Sequence, residues 1–73
     1  PATTIQYDLP EEAHVTLTIF DIMGRQVATL VDESQSAGSY SIEWDGSSHS
    51  SGLYFYSIQA GHEKALRKMT LIK

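Results

Sequence analysis

Apolar side chains in this sequence recur at every second position, in short runs cut by Gly, Pro, Asp and Ser, and no window sustains a helical period. Residues two apart share one face of a pleated strand, so each run predicts a half-buried strand. "TTIQYDLP" places Ile5, Tyr7 and Leu9 on one face, and Pro10 ends the run. "HVTLTIF" places Val15, Leu17 and Ile19 inward and Thr16 and Thr18 outward; β-branched residues suit a pleated surface. The chain then turns in "DIMGRQV" at Gly24, a residue free to take positive φ. "RQVATLV" forms a third strand in which Val27 and Leu30 fall out of alternation, a slip that a β-bulge explains.

"DESQSAG" reads as a polar loop. After it, "SYSIEWD" puts Tyr40, Ile42 and Trp44 on one face, and "LYFYSIQA" does the same for Tyr54, Tyr56 and Ile58. Phe20 and Phe55 have the wrong parity for the core. Between these strands "GSSHSSG", bounded by Gly46 and Gly52, reads as a flexible connection. "AGHE" is a tight turn, and "KALRKMTLIK" closes the chain with Met69 and Leu71 inward. Six short strands with turn signals roughly every ten residues predict an all-β fold, an immunoglobulin-like antiparallel β-sandwich of six to seven short strands. Residues 1–73 make a single domain. A start without Met reads as the point where the domain was cut from a larger protein.

Size and charge narrow the function. At 73 residues, apolar burial and chain ordering nearly cancel, and no cysteine staples the fold, so little stability remains to hold a strained catalytic pocket. Residues 1–60 carry eight acids and one base, Arg25, while residues 61–73 carry Lys64, Arg67, Lys68 and Lys73 against Glu63. So acidic a body disfavours nucleic acid as a partner.

The chemistry-bearing residues concentrate in "SIEWDGSSHSSGLYFYSIQAG", residues 41–61. Asp45, His49 and the serines have triad residue types, but a Gly- and Ser-rich connection does not hold a triad's geometry, and no Gly-x-Ser-x-Gly elbow is present. His14, His49 and His62 lie on three separate segments without metal-ligand spacing. Asp45 with loop oxygens offers at most a weak Ca²⁺ site, and Asp after a strand commonly accepts its own turn's amides. Glu43 and Asp45 share a strand face, but a small sandwich has no groove for glycoside hydrolysis. Tyr40, Trp44, Tyr54, Tyr56 and Phe55 raise a sugar-stacking platform, yet all but Phe55 are in register with Ile42 or Ile58 and therefore belong to the core. The reading is a non-enzyme without cofactor, metal or small-molecule substrate.

Pieces of the sequence in order, "TTIQYDLPE", "VTLTIFDIMGRQVATLV", "AGSYSIEWDG", "SGLYFYSIQAG" and "KMTLIK", resemble the type A C-terminal sorting domain of the type IX secretion system. The immunoglobulin-like domain of the flagellar hook-capping protein shares the Gly-x-Tyr, Trp-Asp-Gly, Gly-x-Tyr core, and the short tail to Lys73 favours the sorting domain. The resemblance implies a secreted or cell-surface protein of a Gram-negative bacterium that passes through the periplasm. Its partners would be the outer-membrane secretion machinery and a sortase-like surface peptidase, with membrane contact only through the translocon. It implies recognition through Gly52 and Tyr54, then Lys68 and Lys73, then Gly24 and Arg25. Cleavage would fall upstream of Pro1, since the Asn-Pro-rich segment that commonly precedes "TTIQY" is absent. Removing Met69–Lys73 is expected to strand a cargo in the periplasm. The alternative is an accessory carbohydrate-binding or structural immunoglobulin-like module of a secreted enzyme.

Overall fold

The alternating runs become strands. The structure, a computed structural model, describes residues 2–72. Its strands are β1 (Ala2–Leu9), β2 (Ala13–Phe20), β3 (Gln26–Gln35), β4 (Gly38–Asp45), β5 (Gly52–Ala60) and β6 (Glu63–Leu71). They form two antiparallel sheets, one of order β1-β4 and one of order β3-β2-β5-β6. This is the expected immunoglobulin-like β-sandwich, with six strands divided two against four.

The core lies between the sheets. Val15, Leu17 and Ile19 on central β2 are fully buried, and Ile5, Leu9, Trp44, Tyr54 and Leu71 close around them. Tyr7, Tyr40, Ile42, Tyr56, Ile58 and Met69 pack half-buried against that cluster. The aromatics are therefore interior, as their phase with Ile predicts, and the sugar-stacking platform is absent from these strands. Thr18 does point outward as expected, but sits mid-sheet between Thr29 and Ser57 and is only 9% exposed.

Both irregular positions in β3 are bulges. Leu17 pairs with Val31 and Thr18 with Thr29, leaving Leu30 as an extra residue; Ile19 pairs with Ala28 and Phe20 with Gln26, leaving Val27 as the second. The resulting phase change turns Val31 into the core, a position that simple alternation missed.

Two expectations need correction. The polar run Asp32–Gln35 is strand, pairing with Ala13–Thr16, so the β3–β4 connection shrinks to Ser36 and Ala37. A neighbouring strand supplies that order: the Asp32, Glu33 and Ser34 side chains stay in solvent while the backbone pairs, and His14 Nε2 lies 2.7 Å from Asp32 Oδ1. The connection at residues 46–51 is tied down rather than loose. The His49 amide donates to the Gly46 carbonyl at 2.9 Å, and the Tyr54 hydroxyl donates to the Ser50 carbonyl at 2.7 Å.

At one end, the Tyr7 hydroxyl donates to Gln35 Oε1 across the sandwich, and the Tyr7 and Tyr40 rings stack 5.2 Å apart. Burial is the main influence raising the Tyr7 pKa. The opposite end gathers the starts of β1, β3 and β5 and the ends of β2, β4 and β6, because consecutive strands are antiparallel and joined by short turns. That end carries the β2–β3 turn and the β4–β5 loop.

Candidate functional site

Gly24, Arg25, Gly52, Tyr54 and Lys68, singled out from sequence, lie toward this second end. Asp21 organises the β2–β3 turn. Its carboxylate accepts the amides of Met23 and Arg25, both at 2.9 Å, and Arg25 Nε at 2.8 Å. These donors, the Arg25 amide foremost, hold the Asp21 carboxyl below the usual aspartate range. Gly24 completes the turn at φ 81°, a conformation that costs an L side chain energy, and donates its amide to the Asp21 carbonyl at 3.0 Å. Arg25 is thus a structural tie of its own turn, although its side chain stays largely exposed.

Across the same end, the β4–β5 loop begins with an Asx turn in which Asp45 Oδ1 accepts the Ser47 amide at 3.0 Å. That bond, first among several influences, lowers the Asp45 pKa. The His49 ring lies against Trp44, with centroids 5.4 Å apart, and faces Tyr54 edge-on at 6.4 Å. Asp45 therefore serves the turn and His49 packs on aromatics. Among the described residues, no three His, Asp or Glu side chains cluster closely enough to hold a metal ion.

Gly52 opens β5 at φ 149° opposite Leu71, and Tyr54 follows, only 7% exposed. Arg25, His49 and Tyr54 line one shallow polar depression, joining two of the three predicted recognition segments. Lys68 stands on the outer face of the four-stranded sheet, directly across from Phe55. Gly24, Arg25, Gly52 and Lys68 are exposed, while the Tyr54 ring is core. Lys73 lies outside the described residues.

One feature escaped the single-strand patterns. Phe20 and Phe55, each off-phase for the core, are register partners on adjacent strands. With Ile22, Gly24, Lys64 and Leu66 they line an open, mainly apolar depression on the outer face. Their shared parity was the available signal, but the register that makes them neighbours is a property of the paired sheet.

Comparison with known proteins gives one match. The family model described as FlgD Ig-like domain matches residues 2–64. No curated protein and no solved structure matches the chain. The match covers β1 to β5 and the first two residues of β6, including the β2–β3 turn and the β4–β5 loop. The chain belongs to the FlgD Ig-like domain family.

Proposed function

We propose that this domain is a non-catalytic sorting signal: it directs an exported cargo through the type IX outer-membrane translocon and is then removed by a sortase-like surface peptidase. The coarser statement follows from family membership, which makes the chain an immunoglobulin-like module of structural or accessory kind. The finer reading rests on the ordered motifs and on "KMTLIK", which lies beyond the family match ending at Lys64.

The observation that carries it is the placement of the last strand. β6 is a sheet edge, and Lys64, Arg67 and Lys68 are exposed along it on an otherwise acidic body. Arg67 shares the parity of Met69, which packs against the core, and of buried Leu71, so a cation projects on the inner side of an edge strand. Such charges suppress indiscriminate edge pairing and leave the edge open to an acidic partner strand. The secreted or surface destination and the absence of catalysis belong to the same proposal. The carbohydrate-binding alternative loses its platform, because Trp44 and Tyr54 are buried and Tyr56 is packed on the core.

Deleting Met69–Lys73 is a poor test, since Leu71 is 2% exposed and its loss opens the core. Lys68→Glu changes an exposed side chain instead. In a cargo fusion expressed in a host with this secretion system, that variant should fold and accumulate in the periplasm. Normal surface delivery of Lys68→Glu together with Arg25→Glu would refute the reading.

A further inference from the structure

The outer face of the four-stranded sheet can be written as rows of register partners. Three rows span all four strands: taken toward the β2–β3 turn, the first reads Asp32, Thr16, Gln59, Lys64; the next reads Thr29, Thr18, Ser57, Leu66; the third reads Gln26, Phe20, Phe55, Lys68. Ile22 and Leu53, 66% and 39% exposed, extend the apolar end beyond the third row, and Leu66 is 59% exposed. The two-stranded sheet covers the inner face, so among the described residues no element covers this outer face. Exposed apolar side chains gathered on one face and rimmed by charges mark an interaction surface.

The rows identify the occupant. We infer that this face pairs with the same face of a second copy, about a twofold axis lying in the contact and parallel to the strands. That operation keeps each row over its equivalent and reverses its order across the sheet. Phe20 of each copy then meets Phe55 of the other, and Lys64 of each meets Asp32 of the other. Among the described residues, Lys64 and Lys68 join neither ion pair of the chain, which are His14–Asp32 and Arg25–Asp21. Asp32 is free enough to share, with its side chain 66% exposed. The other in-plane axis, perpendicular to the strands, sets β6 over β6 and lays the apolar row on the Thr16 row. Lysine would then face lysine, and the phenylalanines would face polar groups. Charge and apolar content thus select the same single arrangement, with the sheets aligned as in ordinary face-to-face packing.

Area sets its strength. Four strands about 4.8 Å apart, each about eight residues long, cover roughly 500 Å² per copy. A standard stable interface buries about 800 Å² per partner. The dimer is therefore weak and transient. The inference does not depend on the sorting role.

Sedimentation equilibrium of the 73-residue chain, run up to about 1 mM, tests it. The native sequence should dimerise with increasing concentration. Phe55→Glu should raise Kd at least about tenfold, with circular dichroism confirming that it folds. Asp32→Lys and Lys64→Asp, both at exposed positions, should each weaken the dimer by roughly threefold to tenfold. Their combination should restore it, because each new lysine then faces a new aspartate. A chain monomeric at the highest concentration overturns the inference. So does a dimer indifferent to Phe55→Glu, or a double variant no tighter than either single one.

Discussion

Trp44 and Tyr54 meet edge to face, their ring centroids 5.2 Å apart, at the point where the two sheets close over the β4–β5 loop. Trp44 comes from the two-stranded sheet and Tyr54 from the four-stranded one. The contact therefore joins the halves of the sandwich, and the Tyr54 hydroxyl extends it into the loop by donating to the Ser50 carbonyl.

That junction separates packing from hydrogen bonding. Trp44→Ala should cost about 3–5 kcal/mol in a denaturant titration, close to the stability of so small a domain. Tyr54→Phe keeps the ring and removes one hydrogen bond, so it should cost about 1 kcal/mol. Its signature should be local, with faster amide exchange through residues 47–51 and unchanged exchange in β2.

Gly46 is buried against the last strand. A Cβ built there would stand 2.6 Å from Leu71 Cδ2 and 2.8 Å from Cδ1. Gly46→Ala should therefore destabilise by about 1–3 kcal/mol. In combination with Leu71→Ala, the two costs should add to less than their sum, since the truncated side chain leaves room for the new methyl. Full additivity in thermal or chemical melts would show that the two residues do not touch.

Gly24 meets a different constraint. Beyond its two chain neighbours, no described atom lies within 4 Å of its would-be Cβ, but its φ is 81°. Gly24→Ala should cost about 1 kcal/mol through the backbone alone, and Gly24→Asn less, because Asn tolerates this region. Equal losses for the two variants would point to a steric contact instead.

Acid stability carries the imprint of Asp21 and Asp45. Both carboxyls have folded pKa values below the ordinary aspartate value, the first chiefly through the Arg25 amide and the second chiefly through the Ser47 amide. A depressed folded pKa adds stability that is complete above the unfolded pKa, near 3.9, and fades as pH falls through the folded value. Unfolding free energy should thus decline as pH drops below about 4. Asp21→Asn with Asp45→Asn should flatten that decline and lower stability at neutral pH. An unchanged acid limb in the double variant would contradict the assignment.

The sandwich was legible because its signal is local. Period two marks each strand, and the same count that puts Trp44 in phase with Ile42 places it in the core. Even the double bulge left a trace, in Val27 and Leu30 falling out of step. What stayed hidden depends on pairing between strands. Asp32–Gln35 is polar in itself and becomes strand only beside Ala13–Thr16. Phe20 and Phe55 looked like separate exceptions, and only the β2–β5 register makes them partners. The serine-rich loop misled for a related reason: its composition suggests freedom, while its order comes from Gly46, Trp44 and Tyr54. Of the residues that the resemblance proposed for recognition, sequence did not separate Arg25 and Tyr54, both engaged in structural bonds, from exposed Lys68.

Cargo export tests the central claim most directly. The whole domain is fused to a fluorescent cargo in a bacterium with the type IX system, and the cargo is followed in periplasmic, surface and medium fractions. The native domain should deliver it to the surface or medium. Lys68→Glu should hold a folded fusion in the periplasm, and the core-neutral control Asp32→Lys should export normally. Failure of the native domain to move its cargo out of the periplasm, or undiminished export by Lys68→Glu with Arg25→Glu, would contradict the account.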